Sequence, residues 1–273
     1  MITYRPVAYE PVELAPDVHL VRHACTTAGD ESTVYMSSLV IKGNEPVLVD
    51  TGPPVARDLW FDAVWSLVDP GDVRWVFISH DDVDHIGNLM NVLAMCPNAT
   101  LLTTAFAVSR STAAFDLPYE RMHWLNIGES LDIGDRTIDV VETPVFDSPT
   151  TAGLHDRRSG VTWAADSVAA PVPAQDPPPW AEDLDQSQWE VALPALGIGG
   201  APWLCGIRPD WFHARLDDLL SRQPTVVASC HGAALRGASL QRAVELYRAL
   251  PGGSPGPPAE QAQLQALLRT HHP

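Results

Sequence analysis

Four side chains that can bind metal ions lie within six consecutive residues of the chain. His80, Asp82, Asp84 and His85 stand in a polar loop between an apolar stretch and a segment with helical spacing. Carboxylates crowded into one loop repel each other unless a cation or a proton neutralises them. The loop therefore predicts a metal site, and the alternative interpretation is a solvated acidic loop.

The order of residues in this loop resembles a known signature. Ser-His-x-Asp-x-Asp-His-Ile-Gly, which begins at Ser79, is similar to the His-x-His-x-Asp-His motif of the metallo-β-lactamase superfamily. Asp82 replaces the second histidine, and a carboxylate at that place resembles the flavodiiron and oxygen-binding diiron branch. The resemblance covers residues 18–250. It implies an α/β fold, the αβ/βα metallo-β-lactamase sandwich, in which two mixed β-sheets are flanked by helices and the metals lie where the loops meet.

Three later segments resemble the remaining ligand positions of that superfamily, which are a histidine, a bridging aspartate and a late His-Gly. Asp147 lies 62 residues after His85, Asp166 follows 19 residues later, and His231 another 65. Asp147 departs from the histidine of the pattern, so either it binds metal or the first metal position is defective. We favour ligation, because a carboxylate here resembles the diiron β-hydroxylases that share this fold. His155 is a substitute ligand that we place on a surface loop.

The resemblance implies a dinuclear site with seven ligands. By the family pattern, metal one is held by His80, Asp82 and Asp147, metal two by Asp84, His85 and His231, and both metals by Asp166. Four carboxylates cancel the charge of two divalent ions, whereas zinc hydrolases of this fold have mostly neutral histidines. Hard oxygen donors suit iron or manganese. We therefore expect two metal ions, with iron favoured and manganese or zinc as alternatives.

Charge balance favours a redox-active iron pair with open positions that bind O2 or NO. The predicted function is a non-haem diiron oxidoreductase that activates or reduces O2 in an oxygenase-like reaction. A metal-dependent hydrolase of an ester, lactone or phosphoester is the first alternative, with a metal-bound hydroxide as nucleophile. A diiron sensor of O2 or NO is the second alternative. The fold does not choose between them, because one fold supports many chemistries.

The predicted partners follow from the same resemblance. A flavodiiron reductase carries a flavodoxin-like domain after this one, and we see no such sequence here. We expect no flavin bound by this chain, and electrons from an external donor protein. Residues 169–209, rich in proline and tryptophan, are interpreted as an excursion over the site, where they could wall a pocket for a small-molecule substrate. A pocket would favour an enzyme over a sensor. A homodimer is possible.

The elements that position the ligands alternate between strands and helices. The predicted strands are 18–21, 33–41, 46–50, 74–78, 99–103, 161–165 and 225–229, with a hairpin over 128–141. The predicted helices are 59–68, 86–95, 105–114, 210–221 and 240–250. Residues 1–250 are predicted to form one metallo-β-lactamase-fold domain. Residues 251–273 are predicted to be a flexible linker and a short C-terminal helix.

Composition limits the partners and the compartment. The formal net charge is -17, with Lys42 the only lysine beside sixteen arginines. Nucleic acid and anionic membranes are discounted, because binding them requires a basic face. No apolar run approaches the ~20 residues that span a bilayer. Four widely spaced cysteines predict reduced thiols, and we expect a soluble, cytoplasmic protein.

Several residues near the ligands are assigned supporting roles. The hydroxyls of Ser79, Thr143 and Ser167 could orient the imidazoles, or could cap their own backbone. Asp50 resembles the structural aspartate of the family, and Cys230 is interpreted as a buried thiol. The histidines set aside as surface or core residues are His23, His123, His213, His271 and His272.

Overall fold

A computed structural model describes residues 5–26, 31–257 and 260–271 of the chain. Residues 1–4 and 27–30 of the predicted domain, residues 258–259 of the predicted linker, and residues 272–273, which include His272, lie outside these ranges. Two large β-sheets form the centre of the protein, and strands and helices are numbered separately in chain order.

The first sheet is mixed and has seven strands in the described ranges. In spatial order they are β1 (Arg5–Ala15), β2 (Val18–Thr26), β4 (Ser38–Ile41), β5 (Val47–Val49), β6 (Trp75–Phe77), β7 (Thr100–Thr103) and β8 (Met122–Trp124). Neighbours are antiparallel from β1 to β5 and parallel from β5 to β8. Because β5 and β6 are parallel, Asp50 and Ser79 follow them at the same edge of the sheet.

The second sheet has six described strands. In spatial order they are β15 (Leu235–Arg236), β14 (Val226–Ala228), β12 (Val161–Trp163), β11 (Gly153–Asp156), β10 (Thr137–Val141) and β9 (Ser130–Asp132). Only β12 and β14 pair in parallel, and β11 is antiparallel to both β10 and β12. The strands β10, β12 and β14 therefore point the same way, and their carboxyl ends share one edge. A small ribbon pairs β3 (Ser32–Thr33) with β13 (Val172–Pro173).

Helices cover the outer faces of the two large sheets. The described helices are α1 (Arg57–Trp65), α2 (Val83–Ile86), α3 (Leu89–Met95), α4 (Ala105–Ser111), α5 (Gln186–Gly200), α6 (Pro209–Ser221), α7 (Gly237–Arg248) and α8 (Gln261–His271). Side chains of α1, α3 and α4 pack on the first sheet, and those of α5, α6 and α7 pack on the second. Within the described ranges, each helix is too short or too polar to cross a bilayer.

The main core lies between the two sheets. Leu20 and Phe77 of the first sheet pack against Ile138, Leu154 and Trp163 of the second, all of them buried. Helix, sheet, sheet and helix thus form four layers, as predicted. Burial of large apolar side chains between and outside the sheets stabilises this arrangement.

The structure corrects several sequence predictions. The predicted helix 86–95 is divided between α2 and α3. The stretch 169–209, predicted as an excursion without regular structure, contains the fifteen-residue helix α5. His155 was placed on a surface loop, but it lies in β11, where it is 5% exposed and its Nδ1 is 2.8 Å from Thr162 Oγ1. The strand β11 was missed because all four of its residues are buried, so it lacks the alternation of a half-exposed strand.

Candidate metal centre

The loop after β6 brings four predicted ligands to the edge of the first sheet. Asp82 is the residue just before α2 and has extended backbone, so Asp84 and His85 lie in the single turn that follows. The rings of His80 and His85 have centroids 3.8 Å apart and their side chains are fully buried. The side chains of Asp82 and Asp84 are 44% and 24% exposed. In this loop the imidazoles are thus buried, and the carboxylates are partly exposed.

The second sheet supplies the other three predicted ligands, each a few residues past the end of a strand. Asp147 follows β10, Asp166 follows β12 and His231 follows β14. Ala165, just before Asp166, has a φ of 48°. This left-handed backbone is uncommon for a residue other than glycine, and it turns the chain sharply at the strand end.

The carboxylate of Asp166 contacts all three predicted histidine ligands. Its Oδ2 lies 3.1 Å from His80 Nε2, while its Oδ1 lies 3.0 Å from His85 Nε2 and 3.3 Å from His231 Nε2. One oxygen faces His80 and the other faces the remaining pair. A carboxylate placed this way has the geometry required to bridge two ions.

The remaining carboxylates divide between the two sides of Asp166. Asp84 Oδ2 lies 3.2 Å from His231 Nε2 and 3.6 Å from His85 Nε2. The Sγ of Cys230 joins this group, in which donor atoms of all four residues lie within 4.8 Å of one another. The structure therefore places one cysteine beside the predicted ligands of metal two.

The other side contains His80, Asp82 and Asp147, whose donor atoms also lie within 4.8 Å of one another. Asp82 and Asp147 are 3.7 Å and 3.8 Å from His80 Nε2. The side chain of Asp147 is 39% exposed. All seven predicted ligands are thus brought together, and their binding of metal stays a prediction.

Buried polar atoms at the centre of this cluster lack partners. The Nε2 atoms of His80 and His85 and both oxygens of Asp166 are buried, and their mutual contacts lack hydrogen-bond geometry. Buried polar groups are nearly always hydrogen-bonded, because an unpaired one costs free energy. Cations between these atoms would satisfy all four. The residues therefore fit a pair of metal ions.

Asp50 fixes the tautomer of His85. Its buried carboxylate accepts hydrogen bonds from Ser79 N and Ser79 Oγ, at 2.7 Å and 2.8 Å, and from Trp163 Nε1 at 3.0 Å. His85 Nδ1 lies 2.8 Å from the same carboxylate. A carboxylate only accepts, so Nδ1 carries a proton, and Nε2 is the nitrogen that faces the site and would bind a metal ion. Asp50 supports the loop as predicted.

The other two imidazoles are oriented in the same way. His231 Nδ1 donates to the backbone carbonyl of Tyr35 over 2.7 Å. His80 Nδ1 lies 3.0 Å from Ser79 Oγ, and that hydroxyl gives its own proton to Asp50. His80 Nδ1 is therefore the donor. All three imidazoles thus present their Nε2 atoms to one point. The role of Tyr35 is played by its backbone, so no feature of the sequence predicts it.

Two of the three hydroxyls named from the sequence do not orient an imidazole. Ser167 Oγ accepts from Val145 N at 2.9 Å and donates to Val145 O at 2.7 Å, so it holds the segment before Asp147. Thr143 Oγ1 is buried without a hydrogen-bond partner. Among these three hydroxyl residues, Ser79 is the one that contacts ligand rings, because it directly precedes His80.

Contacts from outside the ligand set hold Asp147 in place. Asp81 accepts hydrogen bonds from Ser148 Oγ and Thr150 Oγ1, at 3.0 Å and 2.6 Å. Trp203 donates from Nε1 to the carbonyl of Phe146 over 2.7 Å and stacks on its ring at 4.6 Å. Sequence reasoning missed this role of Trp203, although the density of tryptophan in residues 169–209 indicated packing.

The protonation of the acidic groups reflects their crowding. Burial raises the pKa of Asp166, but the positive field of His85 outweighs it and holds that pKa well below its usual range. Burial also raises the pKa of Asp84, but His231 and His85 lower it by more, to about 2. Burial and repulsion from Asp166 raise the pKa of Asp147. Asp84 and Asp166 are thus ionised at neutral pH, while crowding disfavours the charged form of Asp147.

A small cavity opens directly onto this cluster, with a volume of about 190 Å³. Its floor contains three predicted ligands, Asp147, Asp166 and His231. Its apolar walls are Val34, Val145, Ala169, Leu196, Gly197, Gly200 and Ala201. We call this cavity the chamber. Four of its wall residues lie in or just after α5, so the segment predicted to wall a pocket contributes directly to it.

Three of the histidines set aside from the sequence lie outside the described ligand clusters. His23 is fully buried, His123 is exposed, and His213 Nε2 lies 2.9 Å from the carbonyl of Arg248. The described clusters of possible ligands contain none of these three, nor His155. All four cysteines are free, and Cys96 and Cys230 are buried.

Fold and site together define a protein of the metallo-β-lactamase fold. A family model described as "ODP family beta lactamase" matches residues 34–193, more than half of the chain. The chain therefore belongs to this family. The solved rubredoxin oxygen:oxidoreductase from Desulfovibrio gigas is similar over 88% of this chain and 61% of that one, with a TM-score of 0.72 and 18% identity. The flavodiiron protein from Giardia intestinalis has a TM-score of 0.74 and 17% identity over 90% of this chain and 60% of its own.

Curated relatives are more similar in sequence but much longer. The diflavin flavoprotein A 1 of Synechocystis sp. is 27% identical over 135 residues, which is 49% of this chain and 23% of the relative. The anaerobic nitric oxide reductase flavorubredoxin of Citrobacter koseri is 26% identical over 132 residues, which is 48% of this chain and 27% of the relative. The chain thus matches about a quarter of the length of these relatives.

Proposed function

We propose that this chain is a dinuclear non-haem iron oxidoreductase that activates or reduces O2. The observation that carries the proposal is the convergence of buried donor atoms without partners on His80, His85 and Asp166. Four carboxylates in the proposed ligand set supply hard oxygen donors and four negative charges. Such a set favours iron over zinc, because negative charge stabilises the higher oxidation state of a redox-active ion.

The names of the relatives support the same class of reaction. A rubredoxin oxygen:oxidoreductase and a flavodiiron protein have the same fold, and a nitric oxide reductase flavorubredoxin is a sequence relative. A pair of ferrous ions would supply the electrons and the open positions that reduction of O2 or NO requires. Electrons would be replenished by an external donor protein.

The residues of this chain would act by orientation and by exclusion of water. Asp50, Ser79 and the carbonyl of Tyr35 hold the three imidazoles with Nε2 toward the centre. Asp166 separates the two sides and stays ionised. Full burial of His80 and His85 keeps bulk water from the floor of the site. Such preorganisation limits reorganisation during turnover.

The chamber favours an organic substrate beside O2. Cavities of about 150 Å³ hold a molecule as large as benzene, and the chamber measures about 190 Å³. Its walls are apolar, and polar groups are confined to the floor, where the predicted ligands lie. A compact apolar molecule would sit there with one end against the ions, which is the arrangement an oxygenase needs.

The four unpaired thiols support our proposal of a cytoplasmic protein.

Consumption of O2 tests the proposed function. The protein would be loaded anaerobically with Fe²⁺, or with Zn²⁺ as a control, and supplied with a reducing agent and O2. We expect iron-dependent O2 consumption over many turnovers, with none in the zinc-loaded protein. Hydrolysis of ester or phosphoester substrates by the zinc form, together with iron-loaded protein that does not react with O2, would replace the proposal by the hydrolase.

A further inference from the structure

Cys230 occupies a position that the predicted ligand set leaves without a role. Its side chain is fully buried, and its Sγ lies within 4.8 Å of donor atoms of Asp84, His85 and His231. The Nε2 of His85 is itself buried without a partner. The thiol therefore stands in a group of four possible metal donors, one of which is buried without a hydrogen-bond partner.

The backbone holds Cys230 rigidly against the proposed centre. Its N–H donates to the carbonyl of Ala165 over 2.8 Å, and its carbonyl accepts from Ser37 N over 3.0 Å. Ala165 directly precedes the proposed bridge, Asp166. His231, the next residue along, is fixed by Tyr35. The backbone of Cys230 is thus held on both sides, next to the proposed bridge and to His231.

We propose that Cys230 binds metal two as a thiolate, beside Asp84, His85 and His231. This inference rests on the proposed dinuclear site, but not on iron or on O2 chemistry. When the ion binds, the S–H bond is broken, the proton passes to solvent and the metal–sulfur bond forms. No electron is transferred, so the step needs no oxidant or reductant.

The proposal makes the two metal positions unequal. Metal two would have four residues of its own, two of them imidazoles and one a soft thiolate, together with the bridge. Metal one would have His80, Asp82, Asp147 and the bridge, with hard oxygen donors in the majority. Soft and hard ligand sets prefer different ions. We expect metal two to bind first and more tightly.

The geometry of the surroundings agrees with this division. The proposed ligands of metal one include Asp82 and Asp147, which are 44% and 39% exposed. The corresponding side chains on the other side, Asp84 and His231, are 24% and 22% exposed. Metal one would therefore be the position that receives O2 or substrate. Metal two would be held by a closed set of donors.

Cobalt titration tests the proposal in the whole chain. Metal-free protein would be titrated anaerobically with Co²⁺, whose thiolate complexes have an intense charge-transfer band in the near ultraviolet. We expect this band with the first equivalent in the wild type. In Cys230→Ser the band should be absent, and the affinity of the tighter position should fall about tenfold or more, since even residues that only orient ligands contribute this much.

Cys96→Ser is the matched control, because Cys96 is also fully buried and free but lies in the helical layer of the first sheet. It should keep both the band and the affinity. A wild-type protein that binds two Co²⁺ ions without the band, or a Cys230→Ser variant that keeps it, would overturn the proposal. If Cys230→Ser does not fold, X-ray absorption of zinc-loaded wild type decides, because a sulfur neighbour at about 2.3 Å is required. A site that prefers zinc would contradict the proposed function and leave this test intact.

Discussion

Asp166 contacts all three predicted imidazole ligands, so its removal should affect both ions. We predict that Asp166→Ala lowers the affinity for metal by about 100-fold or more, which is at least the effect of losing a residue that only orients ligands. The metal-free variant should fold normally, because both oxygens of Asp166 lack hydrogen bonds. Elemental analysis after gel filtration and thermal unfolding check this. Asp116→Ala, at an exposed aspartate, is the control, and full metal occupancy in Asp166→Ala would exclude the proposed bridge.

Asp147 is the residue whose type sets this chain apart from the histidine of the family pattern. We predict that Asp147→His keeps two metal ions but moves the preference toward zinc, because an imidazole replaces a hard, charged oxygen donor. Competition between Fe²⁺ and Zn²⁺ during reconstitution measures the change. An unchanged ratio would mean that Asp147 does not bind metal.

At the scale of residues, only part of the site can be predicted without reference to a family. His80, Asp82, Asp84 and His85 are recognisable because they are adjacent and because like charges need a cation. Asp147, Asp166 and His231 are isolated in the sequence and were found only through the resemblance. Cys230 was set aside, because one thiol in an apolar segment is usually just buried.

Helix α5 contributes Leu196, Gly197 and Gly200 to the wall of the chamber. Gly200 lies at its last turn, with no atom within 4 Å of the position its Cβ would take. We predict that Gly200→Leu fills the chamber and weakens the binding of benzene about tenfold or more, a change of about 1.4 kcal/mol. Saturation-transfer NMR on zinc-loaded protein measures this binding.

Gly199→Leu is the matched control, since Gly199 also has open space around it but does not line the chamber. It should bind benzene as the wild type does. Equal binding by Gly200→Leu would show that benzene occupies another place, and the chamber would lose its assignment as the substrate pocket.

The elements that could not be predicted share a physical reason. Helix α5 contains Pro194 and three glycines, which disfavour a helix locally, yet Trp189, Leu193 and Gly197 form a buried stripe that stabilises it. Strand β1 contains Pro6 and Pro11, and it was overlooked because proline is excluded from central strands. It is an edge strand, where proline is tolerated, and its register shifts between Tyr9 and Val12. Tertiary packing outweighs local preference in both.

One buried neutral histidine, His23, makes the free energy of unfolding of the whole protein depend on pH. Burial lowers the pKa of His23 from 6.5 to about 4, so its neutral form is favoured in the folded state. The stability that depends on the neutral form of His23 is fully present above pH 6.5 and is lost as the pH falls toward 4. We predict that the free energy of unfolding falls by about 3 kcal/mol over this range, from about 1.4 kcal/mol for each pKa unit.

Urea unfolding of metal-free protein at pH 7 and pH 4 measures this contribution. His23→Leu should lose about 3 kcal/mol less than the wild type between these values, because it has no proton to bind. His123→Leu, at an exposed histidine, should behave as the wild type does. Equal losses in all three proteins would mean that His23 is not held neutral by the fold.

Both large sheets bring the predicted ligands to one edge of the protein. Parallel β5 and β6 of one sheet, and β10, β12 and β14 of the other, all end there, so residues distant in sequence meet in one cluster. We propose that this cluster holds two iron ions, and anaerobic titration with Fe²⁺, followed by Mössbauer spectra before and after O2, tests this proposal. We predict about two ferrous ions per chain that are oxidised together by O2. One ion or none, or two ions that O2 leaves unchanged, would rule out the iron pair.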